Sequence, residues 1–87
     1  MDSTQDIREE QIRMTRLRVL VDLTAYRLQH RALSREQALS LIERTRGEVM
    51  RMFPGKAEVF ELVLRPRFRR ILNERARAAW GLADSVN

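Results

Sequence analysis

Residues 6–31 read DIREEQIRMTRLRVLVDLTAYRLQHR, and neither Gly nor Pro interrupts them. The stretch predicts one helix from about Asp6 to about Arg31, opened by the capping-prone Ser3-Thr4-Gln5-Asp6. At ~1.5 Å per residue it would be roughly 40 Å long. Placed at about 100° per residue, Met14, Leu17, Val21, Thr24, Ala25 and Leu28 share one side, and Ile7 continues their line one heptad earlier. That is an ordinary core face.

Nearly opposite, Ile12, Val19, Leu23 and Tyr26 form a second apolar line, which His30 prolongs. A helix on a domain surface has one such face, so the second one needs its own cover. Two covers are open. The helix could run through the middle of the domain, with the second helix on one side and the last helix on the other. Alternatively, the second line docks on another protein or on a second copy of the chain, a homodimer being the simplest case. The heptad spacing of Ile12, Val19 and Tyr26 permits helix pairing.

The rest of the chain is punctuated by few breakers, with three glycines and two prolines in 87 residues. Alternating apolar and polar runs are almost absent, so the expected fold is all-α: a small three-to-four-helix bundle built around the long N-terminal helix. Ser34 followed by Gln37 has the form of a capping box and opens a second helix from about Arg35 to Met52. Ala38, Leu41, Ile42, Thr45, Val49 and Met52 would face its core. Gly47 weakens it, and Phe53-Pro54-Gly55 ends it. A short helix from Ala57 to Leu64 would bury Phe60, Val63 and Leu64, until Pro66 breaks or kinks the chain after Arg65. The last helix would carry Phe68, Ile71, Leu72, Ala76, Ala79 and Leu82 inward and end around Gly81. A chain of this size has room for one domain, residues 1–87, with frayed ends at about 1–5 and 82–87.

Composition excludes several classes. With no cysteine, disulfides, thiolate metal sites and cysteine nucleophiles are ruled out, and a cytoplasmic location is expected. The first residues lack the basic and apolar regions of an export signal. Strongly apolar runs such as Val19-Leu20-Val21 are three residues long, against the ~20 needed to span a bilayer. No membrane insertion is expected. His30 is the only histidine, so histidine-pair metal sites are excluded within one chain, and its expected role is structural. Glu9 to Arg13 and Glu61 to Arg65 have the favourable i,i+4 order for ion pairs. Phe53-Pro54-Gly55-Lys56 lacks the pattern of a phosphate-cradling loop. No catalytic residue and no cofactor is expected.

The charge is uneven. Between Arg65 and Arg77 stand six arginines against Glu74 alone, a surplus equal to the +5 of the whole chain. Arg67, Arg70 and Arg77 fall away from the apolar face, Arg69 lies at its border near Asn73 and Trp80, and Arg75 falls within the apolar arc, where it would seek a carboxylate. Forked guanidinium groups beside an aromatic ring suit phosphates and bases, which makes Arg67, Arg69, Arg70, Arg77 and Trp80 candidate contacts for nucleic acid. The plainer use is a solvated helix face, partly paired with Glu58 and Glu61. The expected function is a non-enzymatic interaction or self-association module with Ile12, Val19, Leu23 and Tyr26 as its interface; the alternative is nucleic-acid binding by residues 65–77.

Overall fold

A computed structural model describes residues 3–79. Helix α1 spans Ser3–His30, α2 Arg35–Met52, α3 Ala57–Val59 and α4 Arg65–Ala79, with a π-helical turn at Phe60–Leu64 between the last two. The described residues contain no strand, so the protein is all-α. Helix α1 packs against both α2 and α4, and α2 also meets α4.

The second helix starts where its capping box places it. The Gln37 N–H donates to Ser34 Oγ at 3.1 Å, and the Ser34 N–H donates back to Gln37 Oε1 at 2.9 Å. At its other end the Phe53 N–H still reaches the Val49 carbonyl at 2.8 Å, but Phe53 leaves the helical region, with φ −138° and ψ 78°, as the following Pro54 favours. Pro54 and Gly55 then turn the chain.

Of the two outcomes open at Pro66, a break or a kink, the break does not occur. Helical backbone is continuous from 57 to 79. In a regular helix the Pro66 ring would press on the carbonyl four residues back. Here the preceding turn is widened, with the Arg65 N–H donating to the Phe60 carbonyl five residues back, which makes room for the ring. The extra residue in that turn shifts the register of side chains. Phe60 is buried and Leu64 half-buried as expected, but Val63 is 58% exposed and Leu62 74%.

The core joins Val21 and Leu28 of α1 to Ala38, Leu41, Ile42 and Val49 of α2 and to Phe60, Phe68, Leu72 and Ala76. Phe60 and Phe68 meet at a tilt, 6.3 Å between centroids. One polar pair is sealed inside. Thr45 Oγ1 donates to the Leu41 carbonyl at 2.9 Å, so its single hydrogen is committed, and Thr24 Oγ1 donates to it across 2.9 Å. The pair bolts α1 to α2 at a fixed register.

The molecule is long, 57 × 22 × 16 Å, with a radius of gyration of 15.4 Å. A compact chain of this size would have about 12 Å. The excess comes from α1, which at ~1.5 Å per residue is about 42 Å long against about 27 Å for α2. Residues 3–16 are all exposed, so Ile7 and Met14, expected in the core, are not in it.

Candidate interaction surfaces

The outer flank of α1 is open. Ile12, Val19, Leu23 and Tyr26 remain 42–59% exposed, and the Tyr26 ring meets the exposed His30 ring at a tilt, 4.6 Å between centroids. Helix α1 therefore does not run through the middle of the fold. Helices α2 and α4 both pack on the side of Val21, Thr24 and Leu28, because ten core residues from all three rods converge there and none faces the other flank.

A second apolar opening lies lower on the molecule, where the overhang of α1 leaves the body. Met14 and Leu17 face Val49, Phe53, Val59 and Leu64 across a cleft of about 280 Å³. Arg13 lies over the Phe53 ring at 6.0 Å and is paired with Glu10 at 2.6 Å. The expected partner was Glu9; Glu10, one residue closer, has the better reach on this face. The hydrogen bond that Arg13 donates to Glu10 holds Arg13 above the usual arginine range.

The arginine-rich segment splits into two groups. Arg65, 16% exposed, donates to Glu61 at 2.6 Å and to Glu43 of α2, and lies over the Phe60 ring at 5.2 Å. Glu61 also accepts from Arg46 at 3.0 Å, closing a four-residue cluster between α2 and the π turn. Hydrogen bonds from Arg65 hold both Glu43 and Glu61 below the ordinary glutamate value, and they raise Arg65 in return. Arg75 pairs with no carboxylate among the described residues. It donates to the Leu28 carbonyl at 3.1 Å, satisfying one of the open carbonyls in the last turn of α1. These two arginines hold the fold together.

Arg67, Arg69, Arg70 and Arg77 are exposed, and none pairs with a carboxylate among the described residues. Arg70 and Arg77 lie two turns apart on the face away from the core, Arg67 one turn before Arg70, and Arg69 on the other border. They share one helix, and none of them lines the apolar cleft or the clefts between α1 and α2. Trp80 lies outside the described residues.

A cationic groove that the linear charge count misses runs between α1 and α2. Two adjoining clefts, about 510 and 250 Å³, share Arg27, Leu41 and Arg44; Arg31 borders one and Arg51 the other. Glu48 is the one carboxylate on their walls, and it pairs with Arg51 at 3.2 Å. The groove is assembled from two helices whose own sequences look balanced, so only Arg27 and Arg31, four apart at the end of α1, hint at it in the sequence.

Among the described residues there is no group of three or more His, Asp or Glu able to hold a metal ion, and no helix is long and apolar enough to cross a membrane. No protein-family model, no curated protein and no solved structure matches the chain.

Proposed function

We propose that the protein acts without catalysis, as a small helical bundle that associates with a second copy of itself through the outer flank of α1. The observation that carries this reading is the exposure of Ile12, Val19, Leu23 and Tyr26 along one line of a helix whose other line is buried within the chain at Val21, Thr24 and Leu28. Full burial of such side chains is worth roughly 1.5–3 kcal/mol each. These are about half covered, so a partner adds about 1 kcal/mol apiece, or about 8 kcal/mol over the two copies. Association costs about 4–15 kcal/mol. The stripe thus brings two copies close to balance, and neighbouring polar contacts decide the outcome.

Sedimentation equilibrium over a concentration series tests the reading. The expected result is a dimer that becomes a monomer when Ile12, Val19, Leu23 and Tyr26 are all replaced by Gln, with helical content retained. A wild-type chain that stays monomeric into the millimolar range sinks the proposal, as does a variant that associates unchanged.

A second reading, nucleic-acid contact by Arg67, Arg69, Arg70 and Arg77, is favoured by the absence of carboxylate partners for all four among the described residues. It requires salt-sensitive binding to mixed-sequence nucleic acid that is lost on reversing Arg67, Arg70 and Arg77 to Glu.

A further inference from the structure

We infer that the two copies pair their α1 helices antiparallel about a two-fold axis passing near Arg18 and Val19, with Glu9 of each copy beside Arg27 of the other; this rests on the self-association proposed above. The first argument is charge. The protruding turns Ser3–Glu10 carry Asp6, Glu9 and Glu10 against Arg8 alone, whereas from Asp22 to Arg31 the helix carries Arg27 and Arg31 against Asp22. Antiparallel packing sets the acidic overhang of one copy against the basic end of the other. Parallel packing sets like against like. The helix dipoles add in the same sense, since antiparallel neighbours bring opposite partial charges together at each end.

The second argument is register. Glu9 and Arg27 are eighteen residues apart, which at ~3.6 residues per turn is five turns, so both lie on one line of α1, about 70° to the same side of the apolar stripe. A two-fold axis perpendicular to paired antiparallel helices keeps that side common to both copies. Glu9 and Arg27 are symmetric about Arg18; Ile12 and Tyr26 are symmetric about Val19. The two centres differ by one residue, about 1.5 Å along the helix, which the long Glu and Arg side chains span, so one axis serves both the ion pairs and the apolar contacts, placing Ile12 against Tyr26 and Val19 against itself. Arg27 is available for this contact: it lines both clefts of the cationic groove and pairs with no carboxylate among the described residues. Glu9, on the exposed overhang, accepts a 3.3 Å hydrogen bond from Gln5 and pairs with no cation among the described residues.

Because the chain has no cysteine, single-cysteine variants report the arrangement cleanly. Under mild oxidation, V19C should cross-link to itself, and I12C mixed with Y26C should give the mixed dimer, while I12C alone stays uncross-linked. Self-cross-linking of both V19C and I12C would leave self-association standing and overturn the antiparallel register. Failure of every combination, with a monomeric wild type, would overturn both. Independently, E9R and R27E should each weaken dimerisation three- to tenfold and the double swap should restore it; a double swap no better than either single variant counts against the cross-pairs. Circular dichroism confirms that each variant folds.

Discussion

Along three turns of α1, Val21, Thr24 and Leu28 are buried to 6%, 2% and 0% exposure, whereas Val19, Leu23 and Tyr26, interleaved with them, stay 59%, 42% and 59% open. The two flanks hold the same kinds of side chain; Val21 and Val19 differ only in which way they point. What separates them is the position of α2 and α4, which both stand on the first flank and are locked there by the Thr24–Thr45 hydroxyl bond and by Arg75 on the Leu28 carbonyl. Apolar spacing therefore determines that α1 is a helix with two sticky sides, while the tertiary contacts decide which side is spent within the chain.

Matched substitutions break or sharpen that contrast. Leu28→Ala removes a fully buried side chain and should cost about 2–5 kcal/mol, the spread depending on how far the cavity closes. Leu23→Ala, the same change on the opposite flank, should stay within about 0.5 kcal/mol at concentrations where the chain is monomeric. Urea unfolding of the two variants measures both. Equal losses in dilute solution would mean that the outer flank is covered within one copy. At higher concentration Leu23→Ala should begin to lower the melting temperature, because association stabilises the folded state by mass action.

The same contrast recurs between Arg65 and Arg67. Replacing Arg65 by Met leaves Glu43 and Glu61 without their main partner and uncovers the Phe60 ring, for a loss of about 1–2 kcal/mol. Arg67→Met should cost little. Glu43 and Glu61 titrate below their ordinary value of 4.5 in the folded protein, so their contribution is present above that pH and is lost as the pH falls through their lowered folded values. Wild type should thus lose stability on acidification through this range, and Arg65→Met should lose less. Parallel acid-unfolding curves for the two proteins would discard the cluster as a stabilising unit.

Local chemistry carried the legible part of the fold. The capping box at Ser34 and Gln37, the stop at Phe53-Pro54-Gly55 and the inward face of α2 each depend on residues within a few positions of one another, and they hold except at Met52, which is only half-buried and outside the core. The misreadings are tertiary. Pro66 left a break and a kink both open because a regular turn cannot accept it, and the widened turn that accepts it has no short signature; the misplacement of Val63 follows from the same turn. Arg75 lies forty-seven positions from the Leu28 carbonyl, a separation at which backbone acceptors leave no trace in composition. Likewise, the α1–α2 groove draws its arginines from two helices, so a count along the chain favoured residues 65–77, where Arg65 and Arg75 are already engaged.

The one expected gain in stability concerns that groove. Gly47 lies on the exposed side of α2, two residues after the sealed Thr45, and a Cβ built there meets nothing within 4 Å. Glycine inside a helix is unfavourable relative to alanine by about 1 kcal/mol, chiefly because it leaves the unfolded chain more freedom to lose. With no steric requirement for it within the chain, Gly47→Ala should raise stability by up to about 1 kcal/mol, read as a higher urea midpoint at unchanged slope. The gain tests whether the α1–α2 groove is as open as it is drawn: Thr45 would not tolerate a similar enlargement, since its methyl and hydroxyl are already enclosed. A loss of stability at Gly47 would mean that α1 and α2 approach each other more closely there, and that the separation between the sealed flank and the open one is narrower than two residues of α2.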